Sequence, residues 1–149
     1  EYLNCFSELI RRILDSDQFI DLKRVGIRKF DHISVPINSN LDEILEDSLW
    51  MNYSDMGTCL KKEYKDFITQ NNTIVNIIRT AEIVKKDNTD YIRLILDVDA
   101  YRDGNQLQRS GLRSVETINK MLQEELNNHL FNIFIKTFKE SYLNQFYHE

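Results

Sequence analysis

The strictest constraint on this chain is a run of alternating residues past its middle. Between about Asp90 and Arg102, Ile92, Leu94, Leu96, Val98 and Ala100 fall on one side of an extended backbone. Tyr91, Arg93, Ile95, Asp97, Asp99 and Tyr101 fall on the other. Successive strand side chains point to opposite faces, so this alternation predicts one face in a core and one facing outwards. A second β-rich run, from about Thr73 to Lys85, precedes it, with Asp87-Asn88 between the two. Asn tolerates the left-handed backbone that a tight hairpin needs. A long antiparallel hairpin is therefore expected, and its apolar face must be covered by something else.

The remaining segments supply candidates for that cover. Leu3, Phe6, Ile10, Ile13 and Leu14 recur at helical spacing and predict a helix from residue 2 to about 18. Lys23 to Val35 reads as a strand ended by Pro36, with Val25, Ile27, Ile33 and Val35 on one face and Arg24, Arg28, Phe30, His32 and Ser34 on the other. Asn40, followed three residues later by Glu43, predicts the capped start of a short helix over about Leu41 to Trp50. Met56, Leu60, Tyr64, Phe67 and Ile68 have helical spacing, so residues 54–70 are also read as helix. Ser114 caps a long helix reaching about Tyr147, striped by Val115, Ile118, Leu122, Leu126, Leu130, Ile133, Phe134 and Phe138. The expected class is α+β, with an antiparallel sheet of about three or more strands, covering helices and a long closing helix.

Composition sets outer limits. The chain has 149 residues, 42% of them hydrophobic and 29% charged, which suits a single domain over 1–149. The formal net charge of −5 works against general binding to nucleic acid or anionic membrane. No apolar run approaches the roughly 20 residues of a membrane span, and no signal-peptide pattern opens the chain, so a cytoplasmic location is expected. The first residue is Glu1, not Met. The region is accordingly expected to be a piece of a longer protein or a processed form. Cys5 and Cys59 match no zinc spacing and are read as reduced, half-buried thiols.

The chemistry-bearing residues fall into two groups. Asp97 and Asp99 share a strand face and could hold a hard cation, but Tyr101 and Arg102 occupy the places where a calcium loop needs an oxygen ligand and a glycine. No third ligand is visible, and no metal or cofactor is expected. Arg24, Arg28 and His32, interleaved with Phe30, could grip a nucleic-acid strand by phosphate contact and stacking. The competing explanation places the first and last strands side by side, so that Arg24 and Arg28 face Asp97 and Asp99 as cross-strand ion pairs. His129 and His148 form no ligand pattern, and no catalytic motif supports an enzyme. The second group is the aromatic end of the closing helix: Phe134, Phe138, Tyr142, Phe146 and Tyr147. Residues past Ile133 should overshoot the sheet and serve association, with a protein partner or as a homodimer.

Arg24-Val25-Gly26-Ile27-Arg28 resembles the strand signature of a sporadically distributed, uncharacterised prokaryotic family, which reads Arg-Val-Gly-Leu-Arg-Tyr-Ile-Asn-Arg-Ile. Leu96-Asp97-Val98-Asp99 is similar to that family's Leu-Asp-Ile-Asp strand, and the Phe-rich closing helix also resembles its counterpart. Lys29, Phe30, Asp31 and His32 stand where the family has Tyr, Ile, Asn and Arg. The resemblance implies a further domain before this region and an accessory role in mobile elements or defence against them, but no activity. The expected function is a non-catalytic binding or protein-interaction module; the alternative is a domain acting on nucleic acid or nucleotides through Arg24, Arg28, Asp97 and Asp99.

Overall fold

A computed structural model describes residues 2–16, 23–46, 60–104, 107 and 115–145. Four strands form one antiparallel sheet: β1 (Arg24–Pro36), β2 (Lys61–Gln70), β3 (Thr73–Lys86) and β4 (Thr89–Asp103), in the order β1-β4-β3-β2. β2, β3 and β4 form a meander, and β1 lies along the far side of β4. The two meander turns share one geometry. Asn71 and Asn72 have φ of 49° and 60°, and Asp87 and Asn88 have φ of 49° and 61°. Positive φ at both central residues marks the two-residue hairpin turn whose twist matches the flanking strands.

The alternation of β4 becomes the core. Leu94 and Leu96 are each 1% exposed, and Ile92, Val98 and Ala100 are buried beside them. Val75, Ile77 and Ala81 of β3 and Val25 and Val35 of β1 join the same cluster. The closing helix α2 provides the cover in three joined stretches, Val115–Lys120, Met121–Leu126 and Asn127–Thr137, the middle one π-helical. A π turn bonds i to i+5 and so admits an extra residue; here Met121, Leu122 and Leu126 are all buried, together with Ile118 and Leu130. Arg102, also buried, ties the end of β4 to this turn through an ion pair with Glu125. Helix α1 (Tyr2–Ser16) packs against Val115–Lys120 and sinks Ile10 into the core.

Three expected elements differ. Residues 61–70, read as helix, form strand β2; residues 54–59 lie outside the described residues. Most β2 side chains are exposed, so no buried face imposes a period of two on the sequence, and its backbone is held by pairing with β3 from Lys61↔Glu82 to Gln70↔Thr73. The helix expected over Leu41 to Trp50 is one 3-10 turn, Leu41–Glu43. Asn40 caps it as predicted: its side chain accepts from the Asp42 N–H at 3.1 Å and donates to Glu43 at 3.0 Å. The turn stops because the next residues bond to the end of α2. Glu46 N–H donates to the Thr137 carbonyl at 3.1 Å, and Lys139 N–H to that of Ile44 at 2.9 Å. Residues 47–50 lie outside the described residues.

The same contact ends the closing helix early. α2 stops at Thr137 instead of running to Tyr147, since Phe138 turns extended and forms an antiparallel bridge with Leu45. A single turn, α3 (Glu140–Leu143), follows. Cys5 is exposed on α1, not half-buried; Cys59 lies outside the described residues.

Two predictions follow from close packing. A Cβ added at Gly26 would lie 2.6 Å from Cβ of Tyr101 and 2.8 Å from the Ala100 carbonyl oxygen. Gly26→Ala should therefore lower the urea midpoint, by about 1–3 kcal/mol of stability, although alanine ordinarily suits a strand better than glycine. Phe138 is 4% exposed and seated in the core. Phe138→Ala should cost about 3–5 kcal/mol, read in the same experiment.

Candidate functional site

The strand register assembles the charged residues on the face opposite the α2 core. Arg28 pairs in register with Asp99, and Phe30 with Asp97; on the other side of β4, Asp99 pairs with Asn76 and Asp97 with Ile78. Phe67 and Lys65 of β2 complete these rows. The outer face is thus a stripe of acids on β4, flanked by basic and aromatic residues on β1 and by apolar and polar residues on β3.

Arg28 reaches one row along, to Asp97, and Arg24 two rows along, past Tyr101 to Asp99; such diagonal contacts are open to long side chains. Nε and Nη2 of Arg28 donate to the two oxygens of Asp97, at 2.7 and 2.5 Å. Arg24 donates to Asp99 and lies 3.7 Å from the centroid of the Tyr101 ring. Hydrogen bonding by Asp97 pushes the Arg28 guanidinium above its ordinary range. Asp97 is 8% exposed, and a buried carboxylate requires such a partner. The same pattern continues along the face. Arg93 pairs with Glu82, and Lys61 and Lys65 flank Glu63 at 3.8 and 3.0 Å. The hydrogen bond from Lys65 holds the Glu63 carboxyl below its usual range. His32 is exposed, its ring 6.4 Å from that of Phe30.

Sequence reasoning placed Phe30 and Ile95 on this face but missed the apolar residues that β2 and β3 add to it. Phe67 of β2 is 68% exposed and Phe30 of β1 is 60% exposed; Ile74, Ile78 and Ile95 are half-buried on the two strands that separate them. Phe67 was hidden by the helical reading of its segment, although Asn71-Asn72 carries the same turn signal as Asp87-Asn88.

The aromatic end of α2 occupies a second place. Phe134 and Phe138 stack with ring centroids 5.2 Å apart at 53°. With Tyr142 and Leu143 they wall a cleft of about 220 Å³, completed by Asp31, His32 and Ile33 of β1. Burial pushes the Tyr142 hydroxyl above its ordinary range. Of the residues expected to serve association, Phe138 is buried within the chain and Phe134 and Tyr142 are partly buried; Phe146 and Tyr147 lie outside the described residues.

No family model, curated protein or solved structure matches the chain. No described helix is long and apolar enough to cross a membrane, and the described residues hold no group of three or more potential metal ligands.

Asp97 and Asp99 are each ion-paired within the sheet, to Arg28 and Arg24, and a role as structural acids is expected of them. Millimolar Mg²⁺, Mn²⁺ or Ca²⁺ should leave the thermal midpoint unchanged, since selective binding to the native state would raise it. A rise of several degrees that vanishes in Asp97→Asn would contradict this assignment.

Proposed function

We propose that this chain is a non-catalytic protein-interaction module whose working surface is the open face of the sheet, and that its occupant is a second copy of the same chain. The observation that carries the reading is the state of the charges. Arg24, Arg28 and Arg93 are each engaged by an acid of the same face. A phosphate would compete with Asp99, Asp97 and Glu82 for these arginines, which weakens the pull of the face on a polyanion.

What the face does offer is apolar. Phe30 and Phe67 project from the strands on either side of the central pair, which adds Ile74, Ile78 and Ile95 to the paired acids of the same face. Exposed aromatic residues on either side of charges that already pair with one another suit contact with a protein surface. Two such faces can stack about 10 Å apart, as sheets do in a sandwich. The resemblance of Arg24–Arg28 and Leu96–Asp99 to the strand family adds a setting, accessory functions of mobile elements or defence, and no chemistry.

Sedimentation velocity tests the reading. The wild-type chain should sediment as a dimer, and the double variant Phe30→Lys, Phe67→Lys as a folded monomer whose thermal midpoint, unlike that of the wild type, does not rise with protein concentration. Fluorescence anisotropy with a labelled single-stranded oligonucleotide at low salt should show no binding. Binding that weakens steeply with salt and is lost in Arg28→Ala would instead favour the nucleic-acid reading.

A further inference from the structure

The cleft beside α2 touches Asp31, His32 and Ile33, which are consecutive on β1. Successive strand side chains point to opposite faces. One cleft can reach all three only along the edge of the strand, where the main chain itself is accessible. Among the described residues β1 pairs with β4 alone, so this is the edge that β4 leaves open. The backbone N–H and C=O groups on such an edge are a template for another strand.

The size and lining of the cleft narrow the occupant. Sites for drug-sized molecules enclose about 300–1,000 Å³, whereas an apolar cavity of about 150 Å³ accepts a benzene ring. At about 220 Å³ this cleft suits one large apolar side chain. Phe134, Phe138, Tyr142 and Leu143 give it an apolar wall, and Asp31 is the acid that lines it. No lysine or arginine among the described residues forms an ion pair with Asp31, and the chain carries a net charge of −5. Both favour a cationic neighbour.

We infer that the β1 edge at Asp31–Ile33 binds an extended peptide segment of a partner protein as an added strand. One large apolar side chain of that segment fills the cleft, and a basic residue meets Asp31. Main-chain hydrogen bonds supply affinity in this mode, and a pocket for alternate side chains supplies selectivity. The site lies at the edge of the sheet, not on its open face, so it stands or falls separately from the dimer.

The test is selection of a phage-displayed random peptide library on the whole chain, followed by titration of the synthesised consensus peptide into ¹⁵N-labelled protein. The consensus should pair an aromatic or large aliphatic residue with a nearby Lys or Arg. The amides of Asp31, His32 and Ile33 should shift and exchange more slowly. Leu143→Glu should weaken binding about tenfold or more. Selection on Asp31→Lys, which leaves the apolar wall intact and so guards against a misfolded Leu143 variant, should reverse the preferred charge. The inference is overturned if no peptide is enriched, if the consensus lacks an apolar anchor, or if shifts centre on Phe30 and Phe67. It is overturned equally if indole alone binds the cleft while peptides do not, which would mark a small-molecule site. Concentration-dependent shifts of the same amides without peptide would identify a second copy as the occupant and also overturn it.

Discussion

The pairing of β4 on both sides is the constraint on which the rest of the structure depends. Its backbone groups are satisfied by β1 on one edge and β3 on the other. Its side chains then have only two places to go. Leu94, Leu96, Val98 and Ala100 form the floor under α2, while Asp97 and Asp99 are left in the middle of the opposite face. Neighbouring strands remove most of the water from Asp97. A carboxylate so placed is costly unless paired, and Arg28 provides the pairing from β1. The register of β1 is thereby set twice. A slip of one residue would turn Val25 and Val35 outwards and carry the arginines into the core.

This double specification explains what could be read from the sequence. The hairpin β3–β4, strand β1, the α2 stripe and the possible pairing of Arg24 and Arg28 with Asp97 and Asp99 were legible because each has one buried and one open face, which leaves a periodic trace. β2 has no such trace. Its side chains are mostly exposed, and Leu60, Tyr64, Phe67 and Ile68 mimic a helical stripe by spacing alone. The signal that could have rescued it is local: Asn71-Asn72 is a two-residue turn of the same chemistry as Asp87-Asn88, and a turn of that kind implies a strand on each side. The end of α2 was illegible for another reason. Nothing in the sequence near Thr137 stops a helix. The stop comes from Leu45, distant in the chain, which draws Phe138 into a β-bridge. A tertiary contact overrides local propensity there. The cleft depends on the same contact: its aromatic wall stands beside β1 because Phe138 leaves the helix at that point.

The outer face shows how the same residue types can mislead. Arg24, Arg28 and His32 beside Phe30 look like a phosphate-binding strip in one dimension. In the sheet, the second strand supplies the counter-charges, and what remains unmatched is aromatic. The distinction matters for mechanism because exposed ion pairs contribute little to stability and can reorganise under salt, whereas exposed phenylalanine gains only by leaving water. A partner of this face would therefore derive its binding mainly from apolar burial, with the charged pairs setting orientation.

The two edges of the sheet carry the contrast further. β2 presents Lys61, Lys62 and Lys65 in its first half, with Glu63 among them and Asp66 just after. Lysines on an edge strand oppose the approach of another strand, because adding one would force their ammonium groups out of water. β1 also carries cations, but Arg24 and Arg28 are drawn over the open face by Asp99 and Asp97. At Asp31, His32 and Ile33 the edge is backed by aromatic rings instead. A strand arriving at β2 would meet mobile charge, whereas a strand arriving at this part of β1 would find an apolar seat for a side chain. The ion pairs that fix the register of the sheet thus also hold Arg24 and Arg28 away from the stretch of edge proposed to receive another chain, which leaves Lys29 as the nearby lysine of β1.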